Sequence, residues 1–277
     1  MRGMAGLLWL AWAVSCTAPA AAQSTLQVGV VPNVSPRMLL EQNRPLRQYL
    51  ERRLARPVEI VTAPDFKSFH ERVLAGAYDL AVSPAHMARL AQVDAGHPAI
   101  AVYAPGISCI MVTARDGGIS SVEQLRGKSL TLANPLSLVA LHGQQWLARN
   151  GLRAGTDYEV KRVRADDSAA NLLLRGESAA ALMSGGELRA VPQPLRDRLT
   201  VLQSLGEVKA FIVLANRRLG PAERGALRAA LLEFSGAPEF GEFSAATGFK
   251  GMDAIDEAEL RALDALLPET RRMLAGG

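Results

Sequence analysis

The polar side chains best placed for chemistry stand in short loops, each between a β-rich apolar run and a helical pattern. Asn33 and Ser35 follow the first run, and Ser83 with His86 follows the third. Asn134 and Ser137 come after a later run, then Asp166, Asp167 and Ser168, and finally Ser184 ahead of Gly185-Gly186. In open α/β sheets ligands collect in such loops, beyond the carboxyl ends of the strands. Ser137 is the leading ligand contact, because the helix expected over Leu138 to Arg149 would turn its first N–H groups toward an anion. Ser83 reads equally as a helix cap and as a ligand hydroxyl, since one group can do both. Asp166 and Asp167 read first as caps, with Asp166 and Ser184 kept as candidate contacts. Phe66, Leu138 and Val139 would supply apolar lining, and Arg37 and Arg164 are cations in reach of an acidic ligand that read first as solvated surface.

Catalysis has little support. His70, His86, His97 and His142 lack metal-ligand spacing, and there is no Gly-x-Ser-x-Gly elbow, phosphate-cradling loop or cysteine metal set. His86 lies three residues after Ser83, a spacing that arises by chance at strand-to-helix turns. No catalytic residue, metal or cofactor is expected.

The elements that must position these loops are legible as alternation. Strands are predicted at 26–31, 58–62, 80–83, 100–103, 110–113, 130–133, 158–163, 179–183, 199–202 and 210–214. Between them run helical stripes such as Leu46, Leu50 and Leu54, or Phe66, Phe69, Val73 and Leu74. This is the pattern of βαβ units on mostly parallel sheets flanked by helices. Gly106 to Gly118 and Leu205 to Asn216 interrupt it, each with a strand that fits neither neighbouring unit. They are read as two hinge crossings between two α/β lobes, residues 23–110 with 212–277 and residues 111–211.

The first 22 residues have the layout of a secretory signal peptide: Arg2, an uncharged apolar stretch from Met4 to Val14, then small residues to Ala22. The apolar core is shorter than the roughly 20 residues of a membrane-spanning helix. Cleavage after Ala22 is the first reading. Lipid anchoring at Cys16, in Ala13-Val14-Ser15-Cys16, is the alternative. Formal net charge is +4, with basic residues spread along the chain and no like-charged run, so no nucleic-acid partner is expected. After that cut Cys109 is the single cysteine, which leaves stability to packing and not to an internal disulfide.

Several phrases together resemble the periplasmic substrate-binding proteins of phosphate, phosphite and phosphonate ABC transporters. They are Val28-Gly29-Val30-Val31-Pro32, Pro45-Leu46-Arg47-Gln48-Tyr49-Leu50, Pro57-Val58-Glu59-Ile60-Val61, Ala63-Pro64-Asp65-Phe66 and Leu74-Ala75-Gly76-Ala77-Tyr78-Asp79-Leu80-Ala81. Ser120-Ser121-Val122-Glu123-Gln124-Leu125-Arg126-Gly127-Lys128 is similar to a phrase of many type II periplasmic binding proteins. The resemblance implies a two-lobed type II fold and a monomer in the periplasm. It implies closure on a small phosphonate- or phosphate-like anion and delivery to an inner-membrane ABC permease. A sensory protein for another solute, signalling to a membrane kinase, is the alternative. The chain departs from the family pattern at Leu138 and Val139, where further hydroxyls are usual, at Phe66 and Ser83, and near Asp166, where a histidine is common. These departures widen the ligand class to less charged, zwitterionic or cationic solutes.

Overall fold

The computed structural model describes residues 24–132, 134–163 and 166–276, with the backbone alone for Asp166 and Asp167. The signal segment, Cys16 and Arg164 lie outside the described residues, as does the Asp166 side chain. The chain runs β1 (Leu26–Val30), α1 (Pro36–Leu54), β2 (Val58–Val61), α2 (Phe66–Leu74), β3 (Leu80–Ser83), α3 (Ala85–Ala95) and β4 (Ala99–Ala104). It crosses to β5 (Ile107–Ala114), β6 (Ser129–Leu132), α4 (Leu138–Arg149), β7 (Glu159–Arg162), α5 (Asp166–Leu174), β8 (Ala180–Ser184), α6 (Gly185–Ala190), α7 (Gln193–Arg196) and β9 (Leu199–Val208). It returns through β10 (Ile212–Ala215), α8 (Pro221–Glu233), α9 (Phe240–Thr247), β11 (Gly251–Asp253), α10 (Glu257–Arg261) and α11 (Leu267–Ala275).

Two sheets result, in the orders β11-β4-β10-β3-β1-β2 and β7-β6-β8-β5-β9. β1 pairs parallel with β2 and β3, and β6 parallel with β7 and β8, because α1, α2, α4 and α5 carry the chain back between them. The strands that arrive from the other sheet pair antiparallel: β10 with β3 and β4, and β5 with β8 and β9. Both sheets are therefore mixed. All of β5 from Ile107 onward pairs within the second sheet, ahead of the crossing expected at 110.

Apolar layers cover both faces of each sheet. In the first, α1, α8 and α9 pack over Leu26, Val28 and Val213, while α2 and α3 pack over Val31, Ala81 and Ile212. In the second, α4 covers Cys109, Leu130 and Leu182, and α5 covers Val112 and Met183. α4 lies close on β8: a Cβ added to Gly143 would stand 2.5 Å from Leu182 Cδ1. Gly143→Ala should therefore overpack this contact and cost about 1–3 kcal/mol. Gly225→Ala in α8, where a Cβ meets open space, should stabilise by about 0.5–1 kcal/mol. Opposite shifts of the urea midpoint test the pair.

Candidate ligand-binding site

After β6 the chain folds on itself before entering α4. Asn134 Oδ1 accepts from the Leu136 N–H at 3.0 Å, and the Ser137 N–H donates to the Asn134 carbonyl at 3.1 Å. Ser137 is the N-cap: its Oγ accepts from the Ala140 N–H at 3.0 Å, and its carbonyl accepts from the Leu141 N–H at 3.1 Å. The opening N–H groups of a helix have no partner within it. Here those of Leu138 and Val139 remain without an acceptor among the described residues. A 12-residue helix with two free donors at its start favours an anion there.

The same turn seals against the first sheet. Leu138 and Leu141, 7% and 5% exposed, pack in one apolar cluster with Val31, Phe66 and Ala85. His86, wholly buried near the start of α3, places Nε2 3.2 Å from the Leu136 carbonyl. A carbonyl only accepts, so Nε2 carries the proton and the neutral ring leaves Nδ1 without a partner. Burial pushes this imidazole down to about 4, against the weaker upward pull of the Leu136 bond. Burial also pushes His70 down to about 4. The Ser83 hydroxyl is buried and unpartnered as well.

A cleft of about 1210 Å³ opens beside this seal. Pro32, Asp65 and Phe66 line it from the first sheet, and Asn134 and Leu136 from the second. It continues along α4 and β7, with Arg272 and Met273 of α11 opposite. Phe66 and Asn134 thus share one cavity wall. His86 sits one hydrogen bond behind Leu136, with Ser83 on the strand that precedes it. Asn33 neighbours Pro32 and is half-exposed, its N–H donating to the Val31 carbonyl at 2.8 Å. Ser184 caps α6, accepting from the Glu187 N–H at 3.0 Å, and like Ser137 does not line the cleft. Sequence reasoning missed Gln144, Gln145, Arg153 and Arg162 in the lining. Their signal was present: Leu141, Gln144, Gln145 and Ala148 share one helical face, and Tyr158, Val160 and Arg162 alternate along one strand face.

The lining is basic in effect. Asp65 is occupied as the α2 cap, accepting from the Ser68 N–H at 2.7 Å, and Glu269 pairs with Arg272. Arg153 and Arg162 have no acidic partner among the described residues. No described group of three or more His, Cys, Asp or Glu could hold a metal ion, and no described helix is long and apolar enough to cross a membrane.

His70 and His86 make stability pH-dependent. Each binds a proton near 6.5 when unfolded but only near 4 when folded, so between these values the unfolded state holds more protons. Stability is complete above about pH 6.5 and falls as pH drops toward 4. Melting temperature measured from pH 7 to 4.5 should decline accordingly. His86→Gln, which keeps a donor for Leu136 but cannot titrate, should show a shallower decline.

A family model described as "ABC transporter, phosphonate, periplasmic substrate-binding protein" matches residues 28–260. PhnD1 from Prochlorococcus marinus, solved in complex with methylphosphonate, is 14% identical with a TM-score of 0.76, over 90% of this chain and 98% of that one. A binding protein component of an ABC phosphonate transporter from Pseudomonas aeruginosa is 16% identical with a TM-score of 0.73, over 92% and 99%. XAC2383 from Xanthomonas citri, solved with chloride bound, is 21% identical with a TM-score of 0.74, over 92% and 100%, and has also been solved with ATP bound. These likenesses establish a shared two-lobed α/β fold. With the family match spanning most of its length, the chain belongs to the phosphonate family of periplasmic substrate-binding proteins of ABC transporters, and its role is to bind a solute for an importer.

Proposed function

We propose that residues 1–22 direct export and that the mature chain works in the periplasm as a monomer. It captures a phosphorus oxyanion between two lobes, one built on β1–β4 with β10 and β11 and the other on β5–β9, for an inner-membrane ABC permease. The observation that carries this reading is the first turn of α4. Two free backbone donors, Leu138 and Val139 N–H, stand beside a cleft in which Arg162, level with Leu132 at the end of β6, has no acidic partner among the described residues. The Asn134 amide lies at the same turn, and Phe66 gives an apolar wall. Ser83 Oγ and His86 Nδ1 are buried polar atoms without partners, suited to a rearranged contact once solute is present. Closure then follows from contacts made to both lobes, with the two crossings at 105–106 and 209–211 as hinges.

The solute leaves unchanged in this reading. His86 donates to the Leu136 carbonyl and the Ser83 hydroxyl has no partner, so the two do not form the hydrogen bond that joins a nucleophile to its base.

Thermal shift of the mature protein against phosphate, phosphite, methylphosphonate, sulfate, an amino acid and an organic cation tests the ligand class. A phosphorus oxyanion at about 100 times its Kd should stabilise the fold by about 2.7 kcal/mol. Silence toward every phosphorus anion, with a response to a cation or amino acid, would overturn the assignment.

A further inference from the structure

The cleft extends well beyond the turn that would hold a compact anion. Its volume, about 1210 Å³, exceeds the roughly 300–1,000 Å³ that suits a drug-sized ligand. Its floor is Tyr158 and one face of the β7 strand that follows it, where Val160 and Arg162 alternate. One wall is the α4 face of Leu141, Gln144, Gln145 and Ala148, which runs about 10 Å along the helix axis at about 1.5 Å per residue. The other wall is α11, through Arg272 and Met273. Together these surfaces make a groove that starts at Asn134 and runs past α4 to the Arg153 turn.

Its polar groups are donors in search of acceptors. Arg153 uses only its backbone N–H, which donates to Asp157 Oδ2 at 2.8 Å, and neither its guanidinium nor that of Arg162 has an acceptor among the described residues. Most arginines elsewhere that face an acid are bonded to it, as Arg52 is to Glu239 and Arg89 to Asp264. The Gln145 side chain is also without a described partner. A free guanidinium at each end of the floor, Arg162 beside the α4 turn and Arg153 beyond Tyr158, with Val160 and Met273 in the lining, suits a solute that is apolar in its middle and anionic at both ends.

We infer that the solute is elongated: an organic phosphate or phosphonate whose head sits at the first turn of α4, near Arg162 at the Leu132 end of β7, and whose second anionic group, roughly 10 Å away by the length of the α4 face, is taken by Arg153 at the other end. This rests on the phosphorus-oxyanion reading of the α4 turn and adds the groove as a second subsite.

Calorimetric titration with methylphosphonate, hexylphosphonate and hexane-1,6-diyl bisphosphonate tests it. The bisphosphonate should bind the wild-type chain at least tenfold tighter than hexylphosphonate. The variant Arg153→Ala should lose that advantage and keep its methylphosphonate affinity within twofold. The Arg153 side chain is exposed, so the ligand-free melting temperature should hold in this variant. Gln145→Leu gives a second variant, expected to weaken the bisphosphonate several-fold and not methylphosphonate. Equal binding of the two six-carbon ligands, or equal loss for all three in the Arg153→Ala variant, would overturn the second subsite and leave the head site standing. Absence of binding by all three to the wild-type chain would overturn both.

Discussion

Insertion of Leu138 and Leu141 into the apolar layer under α2 and α3 is the contact on which the rest of the arrangement depends. Each fully buried leucine contributes about 1.5–3 kcal/mol relative to exposure, and Leu136 and Val208 pack against the same cluster. It fixes the direction of α4, because the helix is pinned at its start by these leucines and along its length by the close approach of Gly143 to Leu182. It also fixes the polar geometry. With the leucine side chains turned into the seal, the turn presents backbone N–H groups, and His86 meets the Leu136 carbonyl at the buried edge of the contact.

Charge is arranged around that seal and not within it. Arg52, Arg53 and Arg56 pair with Glu239, Glu233 and Glu223, tying α1 and the turn after it to α8 and α9. Pairs this exposed contribute little, typically under about 1 kcal/mol each. Arg89 differs: it is 7% exposed and reaches Asp264 at 2.6 Å and Glu257 at 3.0 Å. Bonds from a buried guanidinium to carboxylates of the C-terminal segment hold α3 against it, and α3 carries His86. The anchor of the hinge-side histidine is thus a charge network on the far side of the first sheet from α1.

Ten of the eleven strands were readable, nine as β-rich apolar runs and β7, Glu-Val-Lys-Arg, from its place between Tyr158 and Val163. β11 is three residues, Gly251-Met252-Asp253, too short and too polar to carry the signal, and it forms because Tyr103 and Val102 of β4 offer it an edge. Antiparallel pairing of β5 and β10 could not be read locally, since it follows from where the chain re-enters a sheet and not from residue types. At the site, helix starts announced Ser137 and Ser184, but not whether their hydroxyls face solute or backbone. Both serve the backbone, accepting from N–H groups three residues on. The groove residues Arg153 and Arg162 stand four and more residues from any helix start, so a search confined to strand-to-helix loops passed over them.

Leucine and valine at 138 and 139 have a consequence for selectivity. Hydroxyl side chains at a helix start would each add a donor whose position matches a particular oxyanion, whereas backbone N–H groups accept any compact anion that reaches them. A turn that keeps the N–H pair and gives its side chains to the lobe seal binds charge without reading shape. Closure here is supported by apolar contact and by the His86 bond, so a solute can favour the closed form only through contacts that the open form lacks. The walls of the groove come from both sides, with Arg272 and Met273 of α11 on one and Gln144 and Gln145 of α4 on the other. In the proposed reading, discrimination among anions therefore rests on the groove, where side chains vary in charge and reach, and not on the turn proposed to hold the head.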